Sequence, residues 1–77
     1  MITKTQYEIL NKQRGVIDIM VYDGYMKNAD GNWLQEMKSI YESIYNEPVN
    51  LNCGACIKIA LTKVHDLLTD YEKANKP

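Results

Sequence analysis

The sequence contains no phenylalanine, only one histidine and two prolines, and no long apolar run. A helix that crosses a membrane needs about 20 consecutive apolar residues. The longest apolar stretches here, residues 16–17 and 19–22, are separated by Asp18. We therefore expect no membrane role. Residues 1–15 also lack the basic segment and apolar run of a secretory signal, which favours an intracellular protein.

The chain also lacks an excess of positive charge. Nine Lys and Arg residues stand against ten Asp and Glu residues, which gives a formal net charge of -1. Proteins that bind nucleic acid through its phosphates are typically basic, so nucleic-acid binding is not favoured. A small helical DNA-binding regulator is kept as an alternative, although its last helix offers only Lys58, Lys63 and Lys73 and no arginine to read guanine.

The length leaves room for one domain, residues 1–77, with one modest core. A domain of this size buries roughly 60% of the surface that its unfolded chain exposes, so its stability is marginal. Self-association, a metal or a disulfide would each add stability.

The clearest helix lies in the last third of the chain. Apolar residues recur there at steps of three and four with charged residues between them, and the apolar set is Ile57, Ala60, Leu61, Val64, Leu67, Leu68 and Tyr71. Asn52 can cap the first turn through its side-chain oxygen. The pattern predicts an amphipathic helix from about Cys53 to Lys73.

A second helix is predicted from Trp33 to about Asn46. Its apolar residues are Leu34, Met37, Ile40, Tyr41 and Ile44. Asn32 is its expected cap, and Pro48 ends it because the residue before a proline avoids the helical region. Residues 47–51 then form a short connection, and the two helices pack as an antiparallel αα-hairpin.

Residues 1–30 allow two interpretations. Thr5 and Glu8 have the spacing of a capping box, and apolar residues keep a helical phase to about Lys27. The alternative is an N-terminal β-hairpin followed by two helices, with residues 16–22 as one strand, Asp23-Gly24 as the turn and residues 25–29 as the return strand. That hairpin would have no further strand to pair with. We therefore predict an all-α fold, a small three-helix domain with a C-terminal αα-hairpin.

Cys53 and Cys56 form the only motif in the sequence whose side chains suggest redox chemistry or metal binding. Free N–H groups and the helix dipole stabilise a thiolate at a helix start, which is the geometry of a redox pair. The pair is also half of a tetrahedral zinc site. His65 lies about 13 Å farther along the same helix, so two copies would have to share one zinc ion. We favour a third interpretation, in which both are small core residues and no cofactor is bound.

The aromatic residues are six tyrosines and one tryptophan. Such side chains join an apolar ring to a polar group and are common at protein–protein contacts. No Ser, Cys or paired carboxylate is placed to form a nucleophile–base pair with the single histidine. We predict a non-enzymatic protein-interaction module whose partner is another protein or a second copy of this chain. The predicted interface residues are Trp33, Tyr41, Ile44 and Tyr45.

One stretch resembles known proteins. Residues 39–49, SIYESIYNEPV, lead into Leu51-Asn52-Cys53-Gly54-Ala55-Cys56 and then a leucine-rich helix. This order of helix, proline, paired cysteines and helix resembles small uncharacterised proteins encoded by phages and mobile elements of Bacteroidetes-type bacteria, over about residues 33–72. The resemblance implies a phage-associated protein that acts by binding, located in the cytoplasm of a bacterial host cell or in the virion.

Overall fold

Four helices make up the described fold. The computed structural model describes residues 2–25 and 29–75, and all regular structure in these ranges is helical: α1 Lys4–Asn11, α2 Arg14–Asp23, α3 Gly31–Tyr45 and α4 Gly54–Ala74. The all-α prediction is confirmed for this part of the chain. The predicted number of helices is wrong, because the single N-terminal helix is two helices. None of the four is both long enough and apolar enough to cross a bilayer.

The first helix starts earlier than predicted. Its capping box is formed by Thr3 and Gln6 instead of Thr5 and Glu8. The hydroxyl of Thr3 accepts the Gln6 N–H at 3.1 Å, and the Gln6 side-chain oxygen accepts the Thr3 N–H at 3.0 Å. These two bonds satisfy N–H groups that have no partner inside the helix.

The predicted N-terminal helix is divided after α1. Gln13 adopts φ -113° and ψ 38°, outside the α-helical region. The Ile9 carbonyl accepts from the Lys12 backbone N–H at 3.3 Å and from the Trp33 indole N–H at 2.9 Å. A side chain of α3 thus bonds to a carbonyl of the last turn of α1, and α2 begins afresh at Arg14.

The β-hairpin alternative for this region is wrong. Its first strand, residues 16–22, lies within α2. Gly24, placed in the hairpin turn, is the C-cap of α2 with a left-handed φ of 67°, and its N–H donates to the Met20 carbonyl at 3.0 Å. The predicted helix end near Lys27, and residues 26–28 of the predicted return strand, lie outside the described residues.

The bounds of α3 and α4 agree closely with the sequence prediction. The cap of α3 is Asp30, whose carboxylate accepts the Asn32 N–H at 2.8 Å, so Asn32 lies in the first turn instead of capping it. Asn46 ends α3 in the left-handed region, with φ 56°. α4 begins and ends one residue later than predicted.

The core is centred on α4. The closest helix packing is of α2 against α4, and α1 packs on both α3 and α4. The predicted αα-hairpin of α3 and α4 is therefore not the main pairing in the fold. These two helices meet at Lys63, whose Nζ lies 5.8 Å from the ring centre of Tyr41 and 5.2 Å from that of Tyr45. The buried side chains are Ile2, Leu10, Val16, Ile17, Met20, Trp33, Met37, Ile40, Tyr41, Val49, Ile57, Ala60, Leu61, Val64 and Leu68.

Arg14 joins α2 to the far part of α4. Its two terminal nitrogens donate to the two carboxylate oxygens of Glu72 at 2.9 and 3.2 Å, and its Nε donates to Asp18 at 3.1 Å. The Tyr7 hydroxyl donates to the same Glu72 at 2.7 Å, and the Tyr7 ring stacks on Tyr71 with centroids 4.5 Å apart. Glu72 therefore holds α1 and α2 to α4 at once.

Stability is expected to fall in acid through Glu72. Its pKa is lowered by hydrogen bonds from Arg14 first and from Tyr7 second. A carboxyl group with a lowered folded pKa adds stability above its unfolded pKa, about 4.3 for Glu, and that stability is lost as the pH falls through the folded pKa. We expect Glu72→Gln to melt below the wild type at neutral pH, with the gap closing below about pH 4.

Thermal unfolding followed by circular dichroism at a series of pH values measures this gap. Glu8→Gln is the matched control, because Glu8 is exposed on α1. A gap between wild type and Glu72→Gln that stays the same from neutral pH to pH values well below 4 would show that the charge of Glu72 is not what stabilises the fold.

Candidate functional site

The two cysteines lie where α3 has ended and α4 begins. They are joined in a disulfide, with their Cα atoms 5.2 Å apart. Cys53 is itself the N-cap of α4, the position predicted for Asn52, and its Sγ accepts the Cys56 N–H at 3.2 Å. Both residues are half-buried and neither belongs to the buried core. This arrangement differs from the favoured interpretation as two separate small core residues.

The connection before the disulfide is held by its own hydrogen bonds. The Val49 N–H donates to the Glu42 carboxylate at 2.8 Å, and the Val49 side chain is buried. The Asn50 side chain accepts the Asn52 N–H at 2.9 Å, and the Asn50 carbonyl accepts the Cys53 N–H at 3.1 Å. This turn delivers Cys53 to the cap position in extended backbone geometry, with φ -114° and ψ 108°.

Glu42 is held in its ionised form at this connection. Its pKa is lowered by the hydrogen bond from Lys38 first and by the backbone N–H of Val49 second. The Lys38 ammonium lies 2.7 Å from the carboxylate. One carboxylate on α3 thereby fixes the start of the segment that carries the cysteines.

His65 and the cysteines do not form one site. Within residues 2–25 and 29–75, no three His, Cys, Asp or Glu side chains are grouped as metal ligands. His65 contacts Tyr22 instead, with Nε2 3.3 Å from the Tyr22 hydroxyl and the rings edge to face. A zinc ion shared between two copies stays a prediction, and it requires Cys53 and Cys56 as thiolates, hence after reduction of the disulfide.

The predicted interface residues fall into two groups. Trp33 and Tyr41 are each 3% exposed and belong to the core, so a partner cannot reach their rings in this conformation. The Tyr41 hydroxyl donates to Glu47 at 3.1 Å, which satisfies the polar end of a buried ring. Ile44 and Tyr45 are half-buried, and burial, followed by the nearby charge of Asp66, raises the pKa of Tyr45.

Three other large side chains are the most exposed hydrophobic residues of the described chain. Tyr22 is 72% exposed, Tyr25 63% and Ile59 59%. The sequence prediction did not select them for the interface, yet a signal exists. Tyr22 and Ile59 lie out of phase with the buried stripes of α2 and α4, so the helical period alone places them on outer faces.

Two of these side chains, Tyr22 and Ile59, lie toward the same end of the α2–α4 pair. α2 and α4 run antiparallel, because Arg14 at the start of α2 meets Glu72 while Tyr22 near its end meets His65. Ile59 lies about 9 Å before His65 along α4, and Tyr25 follows the Gly24 cap of α2. We call Tyr22, Tyr25 and Ile59 the apolar end.

The described residues form no pocket for a small molecule. Comparison with known proteins finds no family model, no curated protein and no solved structure that matches this chain. Two features of the described residues remain as candidate sites, the disulfide at the start of α4 and the apolar end.

Proposed function

We propose that this protein is a small interaction module that binds a second copy of itself through the apolar end, by a contact that involves no chemical step. The observation that supports the proposal is the exposure of three large side chains, Tyr22, Tyr25 and Ile59, of which Tyr22 and Ile59 lie toward one end of the α2–α4 pair. Tyrosine rings bury a large area at little cost in side-chain entropy, which is why they are enriched at protein contacts.

Two properties of the chain favour a second copy as the partner. The formal net charge is -1, so two copies repel each other only weakly. A domain of 77 residues also gains from any apolar surface that it buries against another molecule, because its own core is small. Ile59 at the centre of such a contact would be shielded from water by both copies.

The setting of this function is proposed from the sequence resemblance. Residues 33–72, which resemble small phage and mobile-element proteins, comprise α3 from Trp33, the connection, the cysteine pair and most of α4. A binding protein of this kind would act in the bacterial host cell or in the virion. Ile59 lies within that stretch, whereas Tyr22 and Tyr25 lie before it.

Sedimentation analysis over a wide range of protein concentration tests the proposed self-association. We expect a reversible dimer in the wild type and at least about tenfold weaker association for Ile59→Ser, since a residue central to an interface costs over about 1 kcal/mol when truncated and a symmetric dimer carries the substitution twice. Ile44→Ser on α3 is the comparison variant, because it belongs to the surface that the sequence predicted. Circular dichroism confirms that each variant is folded.

Two results would contradict the proposal. A wild type that stays monomeric at every concentration would exclude self-association. A dimer that survives Ile59→Ser and dissociates with Ile44→Ser would move the interface to α3.

A further inference from the structure

The disulfide at the start of α4 has no role in the proposed self-association. We propose that Cys53 and Cys56 form a reversible redox pair that exchanges its disulfide with the thiols of another protein. Cys53 is the attacking cysteine, and Cys56 resolves the mixed disulfide. The exchange adds a chemical activity to the interaction module. It belongs to the monomer, because the proposed dimer would cover Ile59, so exchange is measured at protein concentrations at which wild type and variants are monomeric.

The position of Cys53 favours its thiolate. Its Sγ already accepts a hydrogen bond from the Cys56 N–H at 3.2 Å. It also lies at the N-terminal end of a helix of 21 residues, where free N–H groups and the dipole stabilise negative charge. A thiolate is the reactive form of cysteine in disulfide exchange. Cys56 lies in the first turn and donates its own N–H to its partner sulfur.

The local backbone can serve both redox states. The Cα atoms are 5.2 Å apart, within the range that a disulfide needs, and the Cys53 carbonyl accepts the Ile57 N–H at 3.0 Å as the first bond of α4. Reduction leaves Cys53 at the cap, where its sulfur accepts the same N–H. Gly54 and Ala55 are exposed between the cysteines, and both cysteines are themselves only half-buried, so a partner chain can approach this segment.

The exchange balances in atoms and electrons. In the reduced protein, the Cys53 thiolate attacks one sulfur of a partner disulfide. A bond forms between Cys53 and that sulfur, the partner's own disulfide bond breaks, and its second sulfur leaves as a thiolate and takes a proton from water. Cys56 then loses its thiol proton to water and attacks the Cys53 sulfur. The Cys53–Cys56 bond forms, and the first partner sulfur leaves as a thiolate and is protonated. Two electrons pass to the partner, and the reverse sequence oxidises a partner dithiol.

The side chain beside the sulfurs points to a protein as the substrate. Ile59 follows Cys56 by three residues, so the two are neighbours on the surface of α4, about 5–6 Å apart at Cβ. Ile59 is 59% exposed and offers an apolar contact to a polypeptide whose sulfur reaches the pair. Glutathione has no comparable apolar side chain, so a protein disulfide is the expected better substrate.

Single-cysteine variants test the assignment of roles. Cys56→Ser leaves only the Cys53 thiol, and Cys53→Ser leaves only Cys56 while its hydroxyl still caps α4. A reference thiol comes from Ile59→Cys in a chain that also carries Cys53→Ser and Cys56→Ser. We expect the Cys53 thiol to react with an aromatic disulfide reagent at least about tenfold faster than either of the other two.

A second measurement follows the pair in the unaltered protein. The fraction oxidised is determined by thiol alkylation and mass spectrometry after equilibration with mixtures of reduced and oxidised glutathione.

Exchange with a protein substrate is tested with insulin. Reduced wild type is mixed with insulin, and Cys56→Ser is expected to accumulate as a mixed disulfide with an insulin chain. Ile59→Ser is expected to slow exchange with insulin about threefold or more and to leave exchange with glutathione disulfide unchanged.

Three outcomes would overturn the proposal. The first is a Cys53 thiol that reacts no faster than the mid-helix reference thiol. The second is a disulfide that does not form and break reversibly in glutathione mixtures. The third is a reduced protein that takes up one zinc ion for two chains and protects its thiols, which would assign the cysteines to a shared metal site.

Discussion

Replacing Trp33 with alanine is expected to leave much of the protein unfolded at room temperature. The Trp33 side chain is 3% exposed, and its indole N–H donates to the Ile9 carbonyl at 2.9 Å. Truncating a buried Trp to Ala costs about 3–5 kcal/mol, because it leaves a cavity in addition to the lost apolar contact. Small domains lie near the low end of the usual 5–15 kcal/mol of unfolding free energy, so one such change consumes most of it.

Urea unfolding followed by circular dichroism measures this effect without relying on tryptophan fluorescence. Trp33→Phe is the matched control, since it keeps an aromatic ring in the core and removes the hydrogen bond to Ile9, for an expected loss of about 1–2 kcal/mol. If Trp33→Ala kept the wild-type unfolding midpoint and lost only self-association, Trp33 would be an interface residue, as its sequence context suggests.

Replacing Arg14 with methionine is expected to lower the unfolding free energy by about 2 kcal/mol. Exposed ion pairs are worth little, but Arg14 makes a two-bond contact with Glu72, a further bond to Asp18 at 3.1 Å, and has a side chain only 26% exposed. The Glu72 side chain is 39% exposed, so solvent screening keeps the effect below that of a buried pair. Arg14→Lys is expected to retain only part of the unfolding free energy that Arg14→Met loses, since an ammonium cannot make the two-bond contact.

A double-mutant cycle isolates the contact itself. Arg14→Met and Glu72→Gln are measured alone and together, and a coupling energy near about 1 kcal/mol or more is expected because the two groups bond directly. Lys38→Met is the comparison variant, and its loss is expected to stay near about 0.5 kcal/mol because Lys38 pairs with Glu42 within one helix. Strictly additive losses for Arg14 and Glu72 would show that the contact contributes nothing of its own.

The sequence predicts α3 and α4 well because local signals agree there. The signals are the three- and four-residue apolar spacing, the turn before Trp33 and the proline at position 48. Each of them depends on residues only a few positions apart. The cap residues are predicted less well, since Asp30 and Cys53 accept the hydrogen bonds that were expected for Asn32 and Asn52. A cap depends on the exact φ and ψ of one residue, and neighbouring polar residues compete for the same N–H groups.

The division between α1 and α2 could not be predicted from spacing. Tyr7, Leu10, Ile17 and Val21 keep one helical phase on both sides of Gln13, so periodicity alone predicts one helix. The bond between the Trp33 indole and the Ile9 carbonyl joins residues 24 positions apart. A contact at that distance in sequence is visible only once α1 and α3 are packed.

The spacing of the two cysteines predicts the candidate site, but it does not predict what surrounds the site residues. The spacing of Cys53 and Cys56 marks them as a pair, but their disulfide forms with Cys53 occupying the cap itself. The aromatic residues were harder, because composition does not separate a tyrosine buried with a partner, such as Tyr41 with Glu47, from one exposed to water, such as Tyr22. Ile59 is not among the predicted interface residues, although it lies off the apolar stripe of its helix.

The packing of α2 against α4 affects how a newly made chain folds. Arg14 and Glu72 are 58 positions apart, and the buried face of α2, formed by Val16, Ile17 and Met20, has its main partner in α4. A growing chain therefore keeps this face open to water until the 21 residues of α4 have left the ribosome. Synthesis of that length takes on the order of 1–4 s. During that interval the buried face of α2 lacks its main partner, and the packing of α2 on α4 is completed only after α4 has emerged.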